Sequence, residues 1–171
     1  MALVKKIKDR KVNIEFNKEF IKVINEKIKN QDTDFLAKSL KELLPADSAD
    51  IIENLSSENR SKLIELEGFN IAPEIFVELN ESIQTEIFLL LSAESIASLL
   101  KKLESDNALK IFENLDKSKK ETVLNRLPPK DRFLLEEGLS YPQDTAARIM
   151  QREFTAIPSN WSVGQTIDYL R

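Results

Sequence analysis

An apolar residue recurs at every twelfth position through eight copies, and this interval limits the possible folds more than any other feature of the chain. From Ile51 the positions are Leu63, Ile75, Ile87, Leu99, Ile111, Val123 and Leu135. The neighbouring column is Ile52, Ile64, Phe76, Phe88, Leu100, Phe112 and Leu124, and breaks only at Glu136. A third column, four residues on from the first, is Leu55, Glu67, Leu79, Leu91, Leu103, Leu115, Leu127 and Leu139. Its one polar member, Glu67, has Leu66 beside it. The position after that holds Ser56, Gly68, Asn80, Ser92, Glu104, Asp116, Pro128 and Ser140, mostly residues that cap helices or make turns.

Apolar residues at i, i+1 and i+4 share one face of an α-helix. A period of twelve therefore predicts a helix of about nine residues, ~13 Å long, closed by the capping column and followed by the next. Ser56 or Ser57, Ser82, Ser105 and Asp116 or Ser118 are the expected N-caps. Pro73 and Pro129 stand where a first turn tolerates a missing N–H. Helices so short are marginal alone and must be held by their neighbours, so the expected fold is all-α, a superhelical stack of about 10–11 short helices. Two earlier stripes begin that stack: Phe20, Ile21, Ile24 and Ile28, then Phe35, Leu36, Leu40, Leu43 and Leu44. Pro45 is expected to end the second of these helices and Asp47 to cap the next.

Composition narrows the chemistry. The 171 residues include only 3 glycines and no histidine or cysteine. That excludes zinc fingers, disulfide frameworks, redox CxxC motifs and histidine-dependent nucleophiles, and leaves no phosphate-cradling glycine loop. The net charge of −4 is unevenly spread: Met1–Asn30 holds nine Lys/Arg against four Asp/Glu, the remainder 16 against 25. An acidic body lacks the basic stripe that nucleic acid requires. The basic start, with Lys5, Lys6, Lys8, Arg10 and Lys11, reads as a solvated terminus or as a contact for a phosphate-rich membrane face. The longest apolar run, Ile87–Leu91, is far short of the ~20 residues that cross a bilayer, and no signal-peptide stretch is present. The sequence reads as a soluble chain.

After Ser140 the period stops. Tyr141-Pro142-Gln143-Asp144 reads as a turn, with Ala146, Ala147, Ile149 and Met150 making one more short helix. Phe154-Thr155-Ala156-Ile157 reads as a short strand ending at Pro158, and Ser159-Asn160 as the restart of a helix carrying Trp161, Val163, Ile167 and Leu170. One strand and one helix cannot build a core. Three parts are therefore expected: a superhelix over 1–140, a junction helix over 141–151, and the truncated start of a second domain over 152–171. That tail is expected to be disordered or to dock through Phe154 and Trp161 on another copy.

Several motifs, taken in order, carry a resemblance. Leu43-Leu44-Pro45-Ala46-Asp47-Ser48-Ala49-Asp50-Ile51-Ile52-Glu53-Asn54-Leu55 resembles the opening helix of the cytosolic N-terminal region of MgtE-type magnesium transporters. Leu139 to Met150 is similar to that family's junction between superhelix and CBS pair. Phe154–Ile157 followed by Trp161–Arg171 resembles the first strand and helix of a CBS domain. The resemblance runs from about Phe35 to Arg171 and implies a regulatory, non-enzymatic role. In the family, the N domain and CBS domains form a magnesium sensor on the cytoplasmic side of the cell membrane, below a homodimeric transmembrane channel. Magnesium bridging carboxylates across the N-domain/CBS interface holds the gate closed. The implied Mg2+ ligands here are Glu74 and Asp106. Where the family often has a second acid one turn after Asp106, this chain has Lys110, and Ala147-Arg148 replaces a small glycine-containing turn. Magnesium, a hard ion that retains several waters, needs no histidine or cysteine. The plain alternative for both acids is a solvated surface carboxylate, with Asp106 also suiting a helix N-terminus. The rival for the whole chain is a protein-interaction scaffold of the flagellar motor switch kind, which uses similar helical repeats. Glycosidase-like paired carboxylates lack a cleft or nucleophile motif to support them.

Overall fold

The computed structural model describes residues 14–67 and 70–171, with side chains of the first helix from Lys18 onward. The basic residues Lys5 to Lys11 lie outside that range, and so does Gly68 of the capping column. Among the described residues there are twelve helices and no strand: α1 (Ile14–Lys29), α2 (Thr33–Glu42), α3 (Pro45–Glu53), α4 (Ser57–Glu67), α5 (Pro73–Glu78), α6 (Glu81–Leu90), α7 (Ala93–Leu100), α8 (Ser105–Glu113), α9 (Lys117–Leu124), α10 (Pro129–Ser140), α11 (Ala146–Ile149) and α12 (Val163–Leu170). Immediate successors pack on each other at α1 with α2, α7 with α8 and α10 with α11. The main pairings skip one or two elements, α2 with α4, α4 with α6, α3 with α5, α5 with α8, α7 with α9 and α8 with α10, so the stack winds as it advances.

The twelve-residue columns are the core. All eight members of the first column, Ile51 through Leu135, are buried, and in the second only Leu124 and Glu136 are not. The capping column does what its composition predicts. The side chains of Ser56, Asn80, Ser92 and Asp116 accept hydrogen bonds from the backbone N–H groups of Asn59, Ile83, Ser95 and Lys119. Glu104 and Pro128 hold the same position without a side-chain cap.

Several local expectations are corrected. Ser82 and Ser105 are not caps; Ser82 only donates to the Asn80 carboxamide, and Ser105 is the first residue of α8, buried. Pro45 opens α3 rather than merely closing α2, because a helix's first residue needs no N–H donor, and Asp47 lies within that first turn. Leu44, at the entry to α3, is exposed. Glu67 keeps its place in the third column itself: it is 2% exposed, while Leu66 is only partly buried, and its carboxylate accepts from Asn70 Nδ2 at 3.0 Å. The strand expected over Phe154–Ile157 is coil, since no strand lies beside it to complete its hydrogen bonds. The last helix starts at Val163 and not at Ser159, because Ser162 and Gln165 close a reciprocal capping box there.

A further column with a period of twelve joins the helices through their backbones. Ser48, Arg60 and Gln84 are fully or nearly fully buried, and each donates to the carbonyl eight residues earlier: Leu40, Ile52 and Phe76. Arg60 also reaches the carbonyls of Glu53 and Leu55 and pairs with Glu86, while Gln84 also reaches Leu79. Lys120, in the same column, donates to the Glu113 carbonyl at 2.8 Å. Beside it, Lys119 Nζ reaches the carbonyls of Phe88, Leu89 and Leu91. All these acceptors lie at helix C-termini, where carbonyls have no partner within the helix. Arg60→Ala removes three such donors and leaves Glu86 without its guanidinium, so it is expected to cost about 3 kcal/mol. Thermal or urea unfolding should show this loss, with Arg60→Lys restoring only part of it.

Candidate functional site

Glu74 and Asp106 are each the second residue of a short helix, α5 and α8, and those two helices pack against each other. A carboxylate in a first turn is favoured by the unpaired N–H groups and the helix dipole, which explains both positions locally. Their surroundings differ. Glu74 is exposed, with no ion pair or side-chain hydrogen bond to another described residue. Asp106 is half-buried, and its Oδ1 is enclosed with no hydrogen-bond partner among the described residues. Buried polar atoms almost always find a partner in protein or ordered water. Lys110, one turn on, is exposed on the last turn of α8.

The segment after α10 is held at both ends of α8. Arg148, in a four-residue helix, is 8% exposed. Its Nη1 donates to the carbonyls of Gly138 (2.7 Å) and Tyr141 (3.2 Å), its Nε to Glu113 Oε1 (3.1 Å), and its Nη2 pairs with that same carboxylate oxygen. Four residues on, Arg152 Nη2 donates to the Ala147 carbonyl at 2.8 Å, and the guanidinium lies over the Tyr141 ring at 5.6 Å. Its Nε, enclosed and without a hydrogen bond, faces Glu137 Oε2 at 3.6 Å. Gly138 lets α10 come this close to α8: a Cβ there would stand 2.8 Å from Leu109 Cδ2 and 3.4 Å from Arg152 Nη1.

Glu153 completes the contact. Its carboxylate accepts the Ser105 backbone N–H through both oxygens at 3.2 Å and the Ser105 hydroxyl at 2.8 Å, while Ser105 Oγ accepts the Arg152 N–H at 2.9 Å. A carboxylate from 48 residues away thus caps α8, in place of the missing side-chain cap at Glu104. Desolvation works against charge on Glu153. The bonds from the Ser105 hydroxyl and N–H, with backbone N–H groups of its own residue and Arg152, outweigh it and hold the carboxyl below its ordinary value near 4.5.

The described residues include no group of three or more acidic side chains able to hold a metal. The available donors are hard carboxylate oxygens, which suit magnesium chemically but do not form a complete ligand set. The structure brings the helices of Glu74 and Asp106 together, and places Arg148 in a structural role where the sequence shows only a departure from a glycine turn. Glu113, Ser105 and Glu153 were not foreseeable as a cluster. Their partners lie 35 to 48 residues away, and no spacing in the chain marks them. The one local signal is the close spacing of Arg148, Arg152 and Glu153 after the last repeat.

Residues 43–144 match the family described as the MgtE intracellular N domain. No curated protein matches the chain. Among solved structures, the soluble part of a magnesium transporter aligns with a TM-score of 0.74 at 23% sequence identity, over 90% of this chain and 61% of that one. This chain therefore spans about three fifths of that structure's chain, and the likeness is one of fold.

The depressed Glu153 carboxyl makes a pH prediction. Its contact with Ser105 is fully present above the ordinary value near 4.5, and is lost as pH falls through the lower, folded value. The Ser105 amide resonance should titrate with a midpoint below 4.5, and Glu153→Gln should abolish that titration.

Proposed function

The chain belongs to the MgtE intracellular N domain family, and from that premise we propose that it is the magnesium-sensing regulatory arm of a magnesium transporter, without catalytic activity of its own. The observation that carries the reading is Asp106: a half-buried carboxylate with one enclosed, unpartnered oxygen, on the helix that also receives the junction. Glu74, on the helix packed against α8, offers a second carboxylate open to solvent.

In this reading residues 1–140 form the arm, 141–151 the junction, and 152–171 the first part of a CBS domain. The exposed side chains of Val163, Ile167 and Leu170 on α12 support the last assignment, since a helix with that apolar face needs a sheet or helix to cover it. The partners are the CBS and transmembrane domains of the same protein, in a homodimer, with the arm on the cytoplasmic side of the cell membrane. No helix among the described residues is long and apolar enough to cross a membrane, so the pore would be formed by other segments.

The mechanism follows from charge and linkage. Glu74 and Asp106 face acids of the CBS domains across a closing interface. Bound magnesium supplies the positive charge and oxygen coordination that make this juxtaposition favourable. Without that charge the carboxylates repel and the arm swings free. A site divided between two bodies binds tightly only when they are closed, so its occupancy reports closure, and closure sets its affinity.

A chain that continues through a CBS pair should compact and resist proteolysis in millimolar magnesium. Glu74→Ala with Asp106→Ala should raise the magnesium midpoint of that protection at least about fivefold. An unchanged midpoint would remove these two residues from the site, and absence of protection in the parent would end the sensing reading.

A further inference from the structure

Helix α8 carries its charged side chains about one turn apart, as Asp106, Lys110 and Glu113. Residues three and four apart on a helix are neighbours, which gives Lys110 four of them: Asp106, Asn107, Glu113 and Asn114. Two are carboxylates, either of which could balance the ammonium. The tertiary structure withdraws one. Arg148, from 35 residues along the chain, takes Glu113 Oε1 with its Nε at 3.1 Å and with its Nη2. The Asn114 carboxamide is also engaged, donating to Gln84 Oε1 at 2.7 Å. Lys110 itself is exposed and has no ion pair or side-chain hydrogen bond to another described residue. The charged residues of α5, packed against α8, are Glu74 and Glu78, so Lys110 is the one cation on these two helices. Its charge is left to act on Asp106.

We infer that Lys110 sets the magnesium threshold at Asp106: it is a cation built into the helix that raises the ion concentration needed to occupy that carboxylate. The inference rests on the sensing reading and adds the residue that fixes its working range. Two effects act in the same direction. A fixed positive charge repels a divalent ion, and in water, at about 8 Å, the repulsion alone weakens binding about fivefold. The flexible lysine stem also lets the ammonium compete for the carboxylate, since an acid four residues before a lysine is the favoured order for such a pair. Arg148 is part of the same device, because its hold on Glu113 removes the acid that would otherwise share the Lys110 charge.

Manganese, which takes the same hard oxygen ligands, tests this on the 171-residue chain through paramagnetic broadening of backbone amides, a readout that detects weak occupancy. At low ionic strength the amides of Ser105, Asp106 and Asn107 should broaden, and excess magnesium should reverse the broadening. Lys110→Gln, at an exposed position that burial does not constrain, should lower the manganese midpoint about fivefold. Lys110→Arg should leave it unchanged, because the charge and not the shape of the side chain is responsible. The difference between parent and Lys110→Gln should shrink in about 0.5 M sodium chloride, where exposed charges are screened. Lys41→Gln, on α2, controls for net charge and should change nothing. An equal midpoint for parent and Lys110→Gln, or an equal shift in Lys41→Gln, overturns the threshold role. So does absence of broadening around Asp106 in both parent and Lys110→Gln. The sensing reading is decided separately, by magnesium-dependent protection of the longer chain, so the two can fail independently.

Discussion

Every short helix has an end problem, and this fold is organised around solving it. The first four N–H groups and last four carbonyls of any α-helix lack internal partners, so in a helix of nine residues nearly half of the backbone polar groups must find partners outside it. A stack of such helices survives only if neighbours supply what is missing. At the N-termini the capping column does so locally, through Ser56, Asn80, Ser92 and Asp116. At the C-termini the donors come from the next helix or beyond it: Ser48, Arg60, Gln84, Lys119 and Lys120. Each of these bonds also sets how far one helix advances past another. Capping and stacking are thus one constraint, and hydrophobic burial of the Ile51–Leu135 column proceeds within the register it imposes.

The junction uses the same device with more charge. Arg148 does for the end of α10 what Arg60 does for the end of α3, reaching back to otherwise unpaired carbonyls while a glutamate from elsewhere balances it. In both cases a buried guanidinium is tolerable because its donors are nearly all engaged. Glu153 serves the N-terminal counterpart, capping α8 from a distance. The superhelix and the segment that leaves it therefore meet on one helix, α8. Asp106 lies one residue from the Ser105 that receives Glu153.

Much of this architecture could be read from the chain before any coordinates. The period of twelve predicted most of the core, though not the buried Ala49, Ile71, Ile96, Ala97, Ala108 and Leu109, and the column beginning at Ser56 predicted where helices start, because 3.6-residue geometry and capping chemistry are local rules. The errors were also local. Ser82 and Ser159 are plausible caps, but Asn80 and Ser162 occupy the geometry, and a single sequence cannot rank two adjacent hydroxyl or amide groups. The Glu67 exception went the other way: a column position was stronger than the residue's polarity, since Asn70 could satisfy the carboxylate at the helix end.

The sequence by itself determined a run of short helices and their shared apolar face, since these depend on spacing along the chain, while the two candidate acids are what its family resemblance implies. Only the tertiary structure decided that α5 and α8 are neighbours, that Asp106 has an enclosed oxygen and Glu74 does not, and that Arg148 finds Glu113 while Glu153 finds Ser105. Those facts depend on which helices the winding brings together after thirty or more residues. Periodicity carries no record of that, because every repeat presents nearly the same face and the packing alone chooses which ones meet.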